Sequence, residues 1–406
     1  MNSFIINNAT VITPGEVLNN TSILVEHGII THIAPHIDEK HADRVIDAGG
    51  DIVMPGIIDI HTDAMDAEIV PRTGADIPIN IAFRELERKM SGCGFTTVYH
   101  SLHLGYNMAE FHSRSKYSRN EVFETVYRAS KGSTLLNNKI HLRFELTGID
   151  AYEECFELMD KGYIGMLSVM DHTPGQGQIT KEHFIGFYMK ISKVSEAEAL
   201  VAYEERISLP IVAGEKLEAL INHAQKLHIP VASHDDDTVE KVAYMHSLGV
   251  NICEFPITME TALHAAVLGM HVVGGASNIL RGGSLSGNLN MKDAVLAGAV
   301  DTLCSDYYPP SILHSIFKLY NEESMPLHEA VNLATLHPAK AARISHHTGS
   351  IETGKDADLV IVKLVDDIPM VTHTIVRGHI VAQASNQVTY DKDYKLNDNL
   401  SLTNEL

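Results

Sequence analysis

Short apolar runs alternate with amphipathic stretches through most of the chain. The amphipathic stretches include residues 81–92, 120–137, 216–227, 238–248, 259–268 and 291–297. The apolar runs have the length of buried strands, and they end at His61, around His103, and at Leu146, His172, His234, Phe255, Ala276 and Asp306. Strands that alternate with helices are typical of βα units around a parallel sheet. The pattern therefore predicts an α/β protein built on a (β/α)8 TIM-type barrel.

The stretch over residues 216–227 shows the helical periodicity most clearly. Its apolar residues recur at spacings of three and four and form one stripe, made of Leu217, Leu220, Ile221, Ala224 and Leu227. We expect this stripe to pack against the barrel wall. A late helix is predicted over residues 327–335. It is expected to end before Pro338, because proline disfavours helical backbone at the residue that precedes it.

Both ends of the chain contain short β-rich runs separated by turns. Four runs lie at residues 3–6, 9–12, 22–26 and 29–33, and three more at residues 359–363, 372–376 and 380–382. The two ends are therefore expected to share a sheet. We predict a small β-sandwich domain from residues 1–54 and 350–390, and a barrel from residues 55–349. Residues 391–406 are predicted to form a loosely ordered tail.

The composition narrows the functional classes. The 406 residues exceed one typical hydrophobic core, which agrees with a large barrel and a smaller companion. The formal net charge of −21 opposes nonspecific binding to nucleic acid or to an anionic membrane. No apolar run reaches the length of about 18 residues that spans a bilayer, and residues 1–20 lack the pattern of a secretory signal. We therefore expect a cytoplasmic protein.

The first candidate ligand pair follows the apolar run that begins after Pro55-Gly56. His61 and Asp63 are two residues apart in a strand pattern, so alternation directs both side chains to the same side of the sheet. In such a barrel the functional groups project from the C-terminal ends of the strands. Both residues can therefore reach one metal ion. The structural alternative is a strand-ending histidine that hydrogen-bonds a loop.

Two further histidines end short apolar runs. His172 follows residues 167–170, and His234 follows residues 229–232. Imidazole is a common ligand for zinc and other transition ions. Three aspartates come directly after His234, and one of them is predicted to orient its ring through the second nitrogen. Asp236 and Asp237 are expected to cap the next helix or to lie in solvent.

Two carboxylates complete the candidate site. Asp306 ends the last apolar run, where it can bind a metal ion and accept a proton from water, so it is the preferred general base. The alternative is that Asp306 caps the turn over residues 307–311. Glu145 lies within an apolar run, and a buried carboxylate must be paired or metal-bound. Our preferred role is a bridge between two ions, with an internal arginine pair as the alternative.

A glycine-rich segment over residues 274–288 indicates anion binding. Glycines allow close approach of the backbone, and Arg281 with the neighbouring serines and backbone N–H groups can surround phosphate oxygens. Arg72, shortly after the first ligand pair, offers another cation at the opening of the barrel. The predicted substrate-binding residues are therefore Arg72, Arg281, Ser284, Ser286 and Asn288.

Longer motifs surround these residues along most of the chain. They include His61-Thr62-Asp63, DHTPGQ at residues 171–176, His234-Asp235-Asp236 and RGGSLSGN at residues 281–288. Together they resemble a branch of the amidohydrolase superfamily, the ribose 1-methylphosphonate 5-triphosphate diphosphatases of the carbon–phosphorus lyase pathway. The resemblance implies a hydrolase with one or two divalent ions, zinc being the expected metal, that releases pyrophosphate in phosphonate metabolism. The candidate metal ligands are His61, Asp63, Glu145, His172, His234 and Asp306.

Two other functions stay open. The same metal core supports hydrolysis of a C–N bond, as in amide cleavage or deamination, and the fold alone cannot choose between them. The arginines and the glycine-rich segment favour a small anionic substrate, whereas the acidic Glu68 near the first ligand pair favours the C–N alternative. The third function is noncatalytic metal binding or scaffolding, which the strand-end histidines and Asp306 argue against. Assembly into a homo-oligomer stays open.

Overall fold

The two ends of the chain share one sheet in the computed structural model of the protein, which describes residues 3–72, 74–105, 115–177, 180–284 and 289–385. The strands of this sheet are β1 (Ser3–Ile12), β2 (Val17–Glu26), β3 (Ile29–Ala34), β4 (Val45–Asp47), β5 (Ile52–Pro55), β14 (Leu359–Val365), β15 (Ile368–Val376) and β16 (His379–Gln383). Their order is β16-β15-β14-β5-β1-β2-β3, with β4 beside β1. Antiparallel pairing of β14 with β5 joins the two ends. The predicted sharing of a sheet is confirmed.

A second sheet of eight parallel strands forms the barrel. The strands are β6 (Ile57–Thr62), β7 (Phe95–Leu104), β8 (Asn137–Glu145), β9 (Ile164–Met170), β10 (Val231–His234), β11 (Ile252–Glu254), β12 (His271–Gly275) and β13 (Thr302–Cys304). Neighbours in space are neighbours in the chain, from β6 through to β13. The predicted fold class is confirmed, and each predicted strand end lies within two residues of the observed one.

Helices connect the strands of the barrel. They are α1 (Ala64–Ile69), α2 (Ile79–Gly92), α3 (Arg119–Ser130), α4 (Tyr152–Asp160), α5 (Lys181–Ser192), α6 (Glu196–Ile207), α7 (Glu215–Lys226), α8 (Val239–Ser247), α9 (Met259–Val267), α10 (Ala276–Arg281), α11 (Met291–Leu296), α12 (Ser311–Glu323), α13 (Leu327–Asn332) and α14 (Leu336–Ala341). Within the described ranges, no helix has both the length and the apolar character that crossing a membrane requires.

Two helix predictions are wrong at their C-terminal ends. The helix predicted over residues 120–137 ends at Ser130, because the chain turns over residues 131–136 and β8 begins at Asn137. The apolar stripe of α7 is buried except for Leu227, which is 40% exposed. Leu227 follows the last helical residue, so its side chain leaves the face that packs on the barrel.

Helices α5 and α6 are absent from the sequence prediction. In α5 the buried residue is Phe184, and in α6 the buried residues are Ala199 and Arg206. In α5 the apolar residues Phe184, Phe187, Tyr188 and Ile191 do recur at helical spacing, so the periodicity that identifies the other helices is present there. The signal is weaker in α6, where the buried residues are only an alanine and an arginine.

Pro338 lies inside a helix rather than beyond one. Helix α13 ends at Asn332, and Pro338 occupies the first turn of α14. The first N–H groups of a helix have no partner within it, so a proline is tolerated there. Its carbonyl accepts from the Ala342 amide at 2.9 Å. The predicted helix does end before Pro338, whereas the separate helix α14 that contains the proline was not predicted.

The barrel closes where β6 meets β13. Thr62 and Asp306 form a parallel bridge. The Asp63 amide donates to the Asp306 carbonyl at 2.8 Å, and the Asp306 amide donates to the His61 carbonyl at 3.1 Å. Asp306 adopts a left-handed backbone with φ of 58°. The backbone hydrogen bonds that close the barrel are therefore made by the candidate ligands themselves, His61, Asp63 and Asp306.

At their N-terminal ends β6 and β13 bond to a loop instead of to each other. The Ile58 amide donates to the Ala334 carbonyl at 3.0 Å, and the Leu303 amide donates to the Leu333 carbonyl at 2.8 Å. Both acceptors lie directly after α13. We call this contact between β6, β13 and residues 333–334 the seam of the barrel.

Gly56 lies where the terminal sheet meets the barrel. A Cβ atom at this position would lie 2.1 Å from Cγ2 of Thr96, so every other residue would clash there. The Gly56 amide donates to the Asp358 carbonyl at 2.9 Å, close to the pairing of β14 with β5. The predicted domain boundaries stay predictions, and the predicted tail at residues 391–406 lies outside the described residues.

Candidate active site

A fully buried carboxylate, Glu254, contacts several imidazoles at the end of β11. Its Oε1 atom accepts from Nδ1 of His61 at 3.2 Å, and its Oε2 atom accepts from Nδ1 of His234 at 3.3 Å. The Ser168 hydroxyl donates to Oε2 at 2.9 Å, and Nε2 of His141 lies 3.8 Å from Oε1. A neutral imidazole that donates from Nδ1 carries its lone pair on Nε2. Glu254 therefore leaves the lone pair of each ring on Nε2, the atom through which an imidazole held in this way binds a metal ion.

Opposing effects set the charge of this buried group. Burial by itself raises the pKa of Glu254, but the neighbouring His141 and His61 outweigh burial and hold the pKa well below its usual range. Burial by itself lowers the pKa of His61, but the Glu254 carboxylate has the opposite effect, and the pKa of His61 is raised overall. Glu254 is thus an ionised acceptor, which the two donating Nδ1 atoms require.

Glu145 holds His172 in a similar way. Nδ1 of His172 donates to Oε2 of Glu145 at 2.6 Å, and the His172 amide donates to Oε1 at 3.0 Å. Both oxygens of Glu145 are engaged by this one residue. Nε2 of His172 lies 4.0 Å from Oδ2 of Asp235. These contacts support an orienting role for Glu145, and the bridging role that the sequence predicts stays a prediction.

His61, Asp63 and Asp306 form a first cluster. One ligand atom from each of the three lies within 4.8 Å of the other two. Burial and repulsion by Asp63 raise the pKa of Asp306 to about 6. Burial also acts to raise the pKa of Asp63, but Arg143, His61 and His234 together outweigh burial and lower that pKa. The cluster therefore pairs an ionised Asp63 with a carboxylate, Asp306, that can exchange a proton near neutral pH.

His172, His234 and Asp235 form a second cluster with the same spacing. Oδ1 of Asp235 lies 3.8 Å from Nε2 of His234. Imidazole nitrogens and carboxylate oxygens at such distances can converge on one divalent ion. The predicted metal ligands are thus divided between two clusters, and Glu145 contacts the second through His172.

The other two aspartates after His234 do not cap the next helix. Thr238 caps α8, since its hydroxyl accepts from the Lys241 amide. Asp236 is fully buried, accepts from the Ser233 hydroxyl and lies 3.4 Å from Nζ of Lys241. Asp237 accepts a backbone amide from the loop after β9 at 3.1 Å. The cap prediction is therefore wrong for both residues, because Thr238 has the extended backbone that a cap requires, and the solvent prediction is wrong for the buried Asp236.

Arg143 lies between the two clusters. Its Nη1 atom donates to Oδ1 of Asp63 at 2.9 Å, and its Nη2 atom donates to Nε2 of His234 at 3.2 Å. Nε lies 3.1 Å from Sδ of Met170. The side chain is 7% exposed. Because a guanidinium does not lose its proton in proteins, the centre contains a permanent positive charge.

The predicted anion-binding residues lie nearer the surface. Arg72 and Arg281 are exposed, and Ser284 is half-buried. Arg281 is the last residue of α10, which Gly282 ends in the left-handed conformation. Ser286 and Asn288 lie outside the described residues. The substrate-binding role of this set stays a prediction.

The sequence analysis missed Glu254, His141 and Arg143. Glu254 ends an apolar run, which is the same signal that identifies Glu145. His141 and Arg143 alternate with Glu145 along β8, so all three side chains share one face of the strand. Applying the alternation rule to β8 and the rule for buried carboxylates to β11 would have found them.

The chain is similar to known hydrolases over most of its length. A model of the amidohydrolase family matches residues 146–381. The alpha-D-ribose 1-methylphosphonate 5-triphosphate diphosphatase of Escherichia coli (strain K12) is 32% identical over 92% of this chain and 99% of that protein. The imidazolonepropionase of Brevibacillus brevis is 22% identical over 86% of this chain and 85% of its own length. The solved A. niger ochratoxinase has a TM-score of 0.65 at 15% identity, covering 93% and 95% of the two chains.

Proposed function

This chain belongs to the amidohydrolase family, and from that membership we propose that it is a divalent-metal-dependent hydrolase with α-D-ribose 1-methylphosphonate 5-triphosphate diphosphatase activity. The relative from Escherichia coli bears that name and matches this chain almost end to end. The RGGSLSGN segment and the arginines support an anionic substrate. The activity releases pyrophosphate and leaves a 5-phosphate on the ribose.

One observation carries the metal dependence. Three neighbouring histidines each donate from Nδ1 to a buried carboxylate: His61 and His234 to Glu254, and His172 to Glu145. Carboxylates that contact the second nitrogen fix the tautomer and the ring orientation that a ligating histidine needs. The donor set therefore fits a divalent ion. The residues that can hold it are His61, Asp63, His172, His234, Asp235 and Asp306.

The residues of the chain divide the reaction between them. When bound, a divalent ion supplies Lewis-acid activation of water and neutralises charge that develops on phosphate oxygens. Asp306 takes the proton of the attacking water. As the oxygen of that water bonds to phosphorus, the anhydride P–O bond breaks, and its electron pair leaves with pyrophosphate. Arg72 and Arg281 are the proposed contacts of the polyphosphate in a chain whose net charge is −21.

Product analysis tests this proposal. We expect metal-loaded protein to release pyrophosphate from α-D-ribose 1-methylphosphonate 5-triphosphate, and we expect prior treatment with a chelator to abolish the release. Imidazolonepropionate and a panel of amides serve as alternative substrates, with ring opening, ammonia or carboxylate as the readout. Turnover of a C–N substrate without pyrophosphate release would reject the diphosphatase and retain the hydrolase. Activity that survives complete metal removal would reject the metal dependence.

Hydrolysis of a C–N bond is the second candidate function. The similarity to imidazolonepropionase over most of both chains favours it. The acidic Glu68 does not favour hydrolysis of a C–N bond in the structure, because both of its carboxylate oxygens lie 2.7 Å from Nζ of Lys89. Its charge is therefore paired and does not repel an anion at the opening of the barrel.

Substitution of Arg281 by alanine tests its proposed contact with the phosphate groups. We expect Arg281→Ala to lower kcat/KM for the triphosphate on the order of 10- to 100-fold, because a charge-assisted contact worth about 1.5–3 kcal/mol is lost. Arg88→Ala is the matched control, since Arg88 is 72% exposed on α2 and pairs with Glu85. Steady-state kinetics on the same phosphorylated substrate measure both variants. Equal kinetics for the two would remove Arg281 from substrate binding.

A further inference from the structure

Arg143 donates to one residue of each cluster, Asp63 in the first and His234 in the second. These two acceptors differ in the number of lone pairs that they offer. Nδ1 of His234 donates to Glu254, so the single lone pair of the ring lies on Nε2. Nη2 of Arg143 donates to that same Nε2 atom at 3.2 Å. A metal ion at His234 needs this lone pair. Arg143 and an ion therefore exclude each other at the second cluster.

The first cluster is compatible with Arg143 in its observed position. Arg143 contacts Asp63 through Oδ1 at 2.9 Å. A carboxylate has two oxygens with about four lone-pair sites, so Asp63 can accept from the guanidinium and still coordinate an ion. Nε2 of His61 has no contact with Arg143 among the hydrogen bonds of the described residues, and Nδ1 of His61 is held by Glu254. Both His61 and Asp306 can therefore act as ligands without moving Arg143.

Several contacts fix the guanidinium in this position. Three of its nitrogen atoms lie within 3.2 Å of Asp63, His234 and Met170. The guanidinium is buried, and the Asp63 carboxylate accepts a hydrogen bond from it directly. Moving the guanidinium out of the second cluster would break these contacts and leave the neighbouring carboxylates without their cation.

We propose that Arg143 restricts this chain to one divalent ion, held by His61, Asp63 and Asp306, and that its guanidinium is the fixed cation of the second cluster. This inference rests on the metal dependence proposed above. Three protein ligands leave an open coordination position, as catalytic sites of divalent ions require. Arg143 then supplies the positive charge of the second cluster without a second ion.

Metal counting tests the proposal directly. The protein is stripped with a chelator, reloaded with excess Zn²⁺, desalted and analysed by elemental mass spectrometry against protein concentration. We expect one ion per chain in the wild type and two in Arg143→Met, which removes the charge and frees Nε2 of His234. Arg143→Lys keeps a charge and should retain one ion. Arg119→Met is the control, because Arg119 pairs with Asp66 outside both clusters.

A second measurement does not depend on the stability of the Arg143 variants. After loading with ¹¹³Cd²⁺, the wild type should give one cadmium resonance. His61→Ala should lose this resonance, and His234→Ala should keep it. Two ions or two resonances in the wild type would overturn the proposal, and so would one ion in a folded Arg143→Met protein. A wild type that binds no ion but is active would reject the metal dependence itself, and a wild type with one ion lost in His234→Ala would reject only the assignment to the first cluster.

Discussion

Replacement of Asp306 by asparagine is expected to lower kcat/KM by about 10²-fold or more, as losses of a general base do. The amide keeps the size of the side chain and one oxygen for an ion, but it cannot take a proton from water. Asparagine also tolerates the left-handed backbone that this position requires, with φ of 58°. The loss should therefore come from the missing base and not from a distorted strand end.

Turnover, bound metal and thermal stability, measured on one preparation, distinguish a general base from a residue that only caps a turn. Turnover should fall far more than bound metal or thermal stability. Asp293→Asn is a suitable control, since Asp293 is an exposed carboxylate at the start of α11. If Asp306 only capped the following turn, asparagine would preserve the hydrogen bond and nearly all activity. Wild-type turnover in Asp306→Asn would thus remove this residue from the mechanism.

Replacement of Glu254 by glutamine is expected to weaken metal binding by roughly 10- to 100-fold, the usual cost of losing a carboxylate behind a ligating histidine. Glu254 accepts from Nδ1 of both His61 and His234. An amide has one oxygen, so its NH₂ group must face one of the two donors. That histidine can avoid the clash by moving its proton to Nε2, which removes the lone pair needed for an ion.

Glu87→Gln is the matched control for this substitution. Glu87 is also buried, at 1% exposure, and its carboxylate accepts from Arg84 and from Asn138 at 2.8 Å. It lies in α2, away from the two clusters. Both glutamine variants should lose stability, but Glu254→Gln alone should lose affinity in a titration of metal-free protein with Zn²⁺. Equal affinities would mean that Glu254 is only a packing element of the barrel.

The sequence predicts the barrel well because its signal is local. Apolar runs of strand length and amphipathic stretches repeat along the chain, and each can be identified without knowing its neighbours in space. The strand ends with His61, His234 and Asp306 follow from the same pattern. Helix α6 gives a weak signal, since its buried residues are Ala199 and Arg206, whereas the apolar stripe of α5 is present in the sequence and was missed.

The parts of the site that were missed depend on contacts between distant segments. His61 and Glu254 are 193 residues apart in the chain, and Arg143 contacts His234 across 91 residues. A strand pattern shows that Arg143 shares a face with Glu145, but it cannot show which carboxylate each side chain meets. The sequence therefore leaves Glu145 as a bridge between two ions or as the partner of an internal arginine, whereas in the structure Arg143 contacts Asp63 and His234, and Glu145 contacts His172.

The bridge that closes the barrel between β6 and β13 makes ion occupancy a matter of folding as well as of chemistry. β6 and β13 share one bridge, at Thr62 and Asp306, and the residues on either side of it belong to the first cluster. An ion held there would act as a noncovalent cross-link between the first and last strands of the barrel. A ligand that binds only the folded form adds about 2.7 kcal/mol of stability at a hundredfold excess over its Kd. Without the metal, the barrel would therefore open more often between β6 and β13. Proteases would then degrade the metal-free protein faster than the loaded protein.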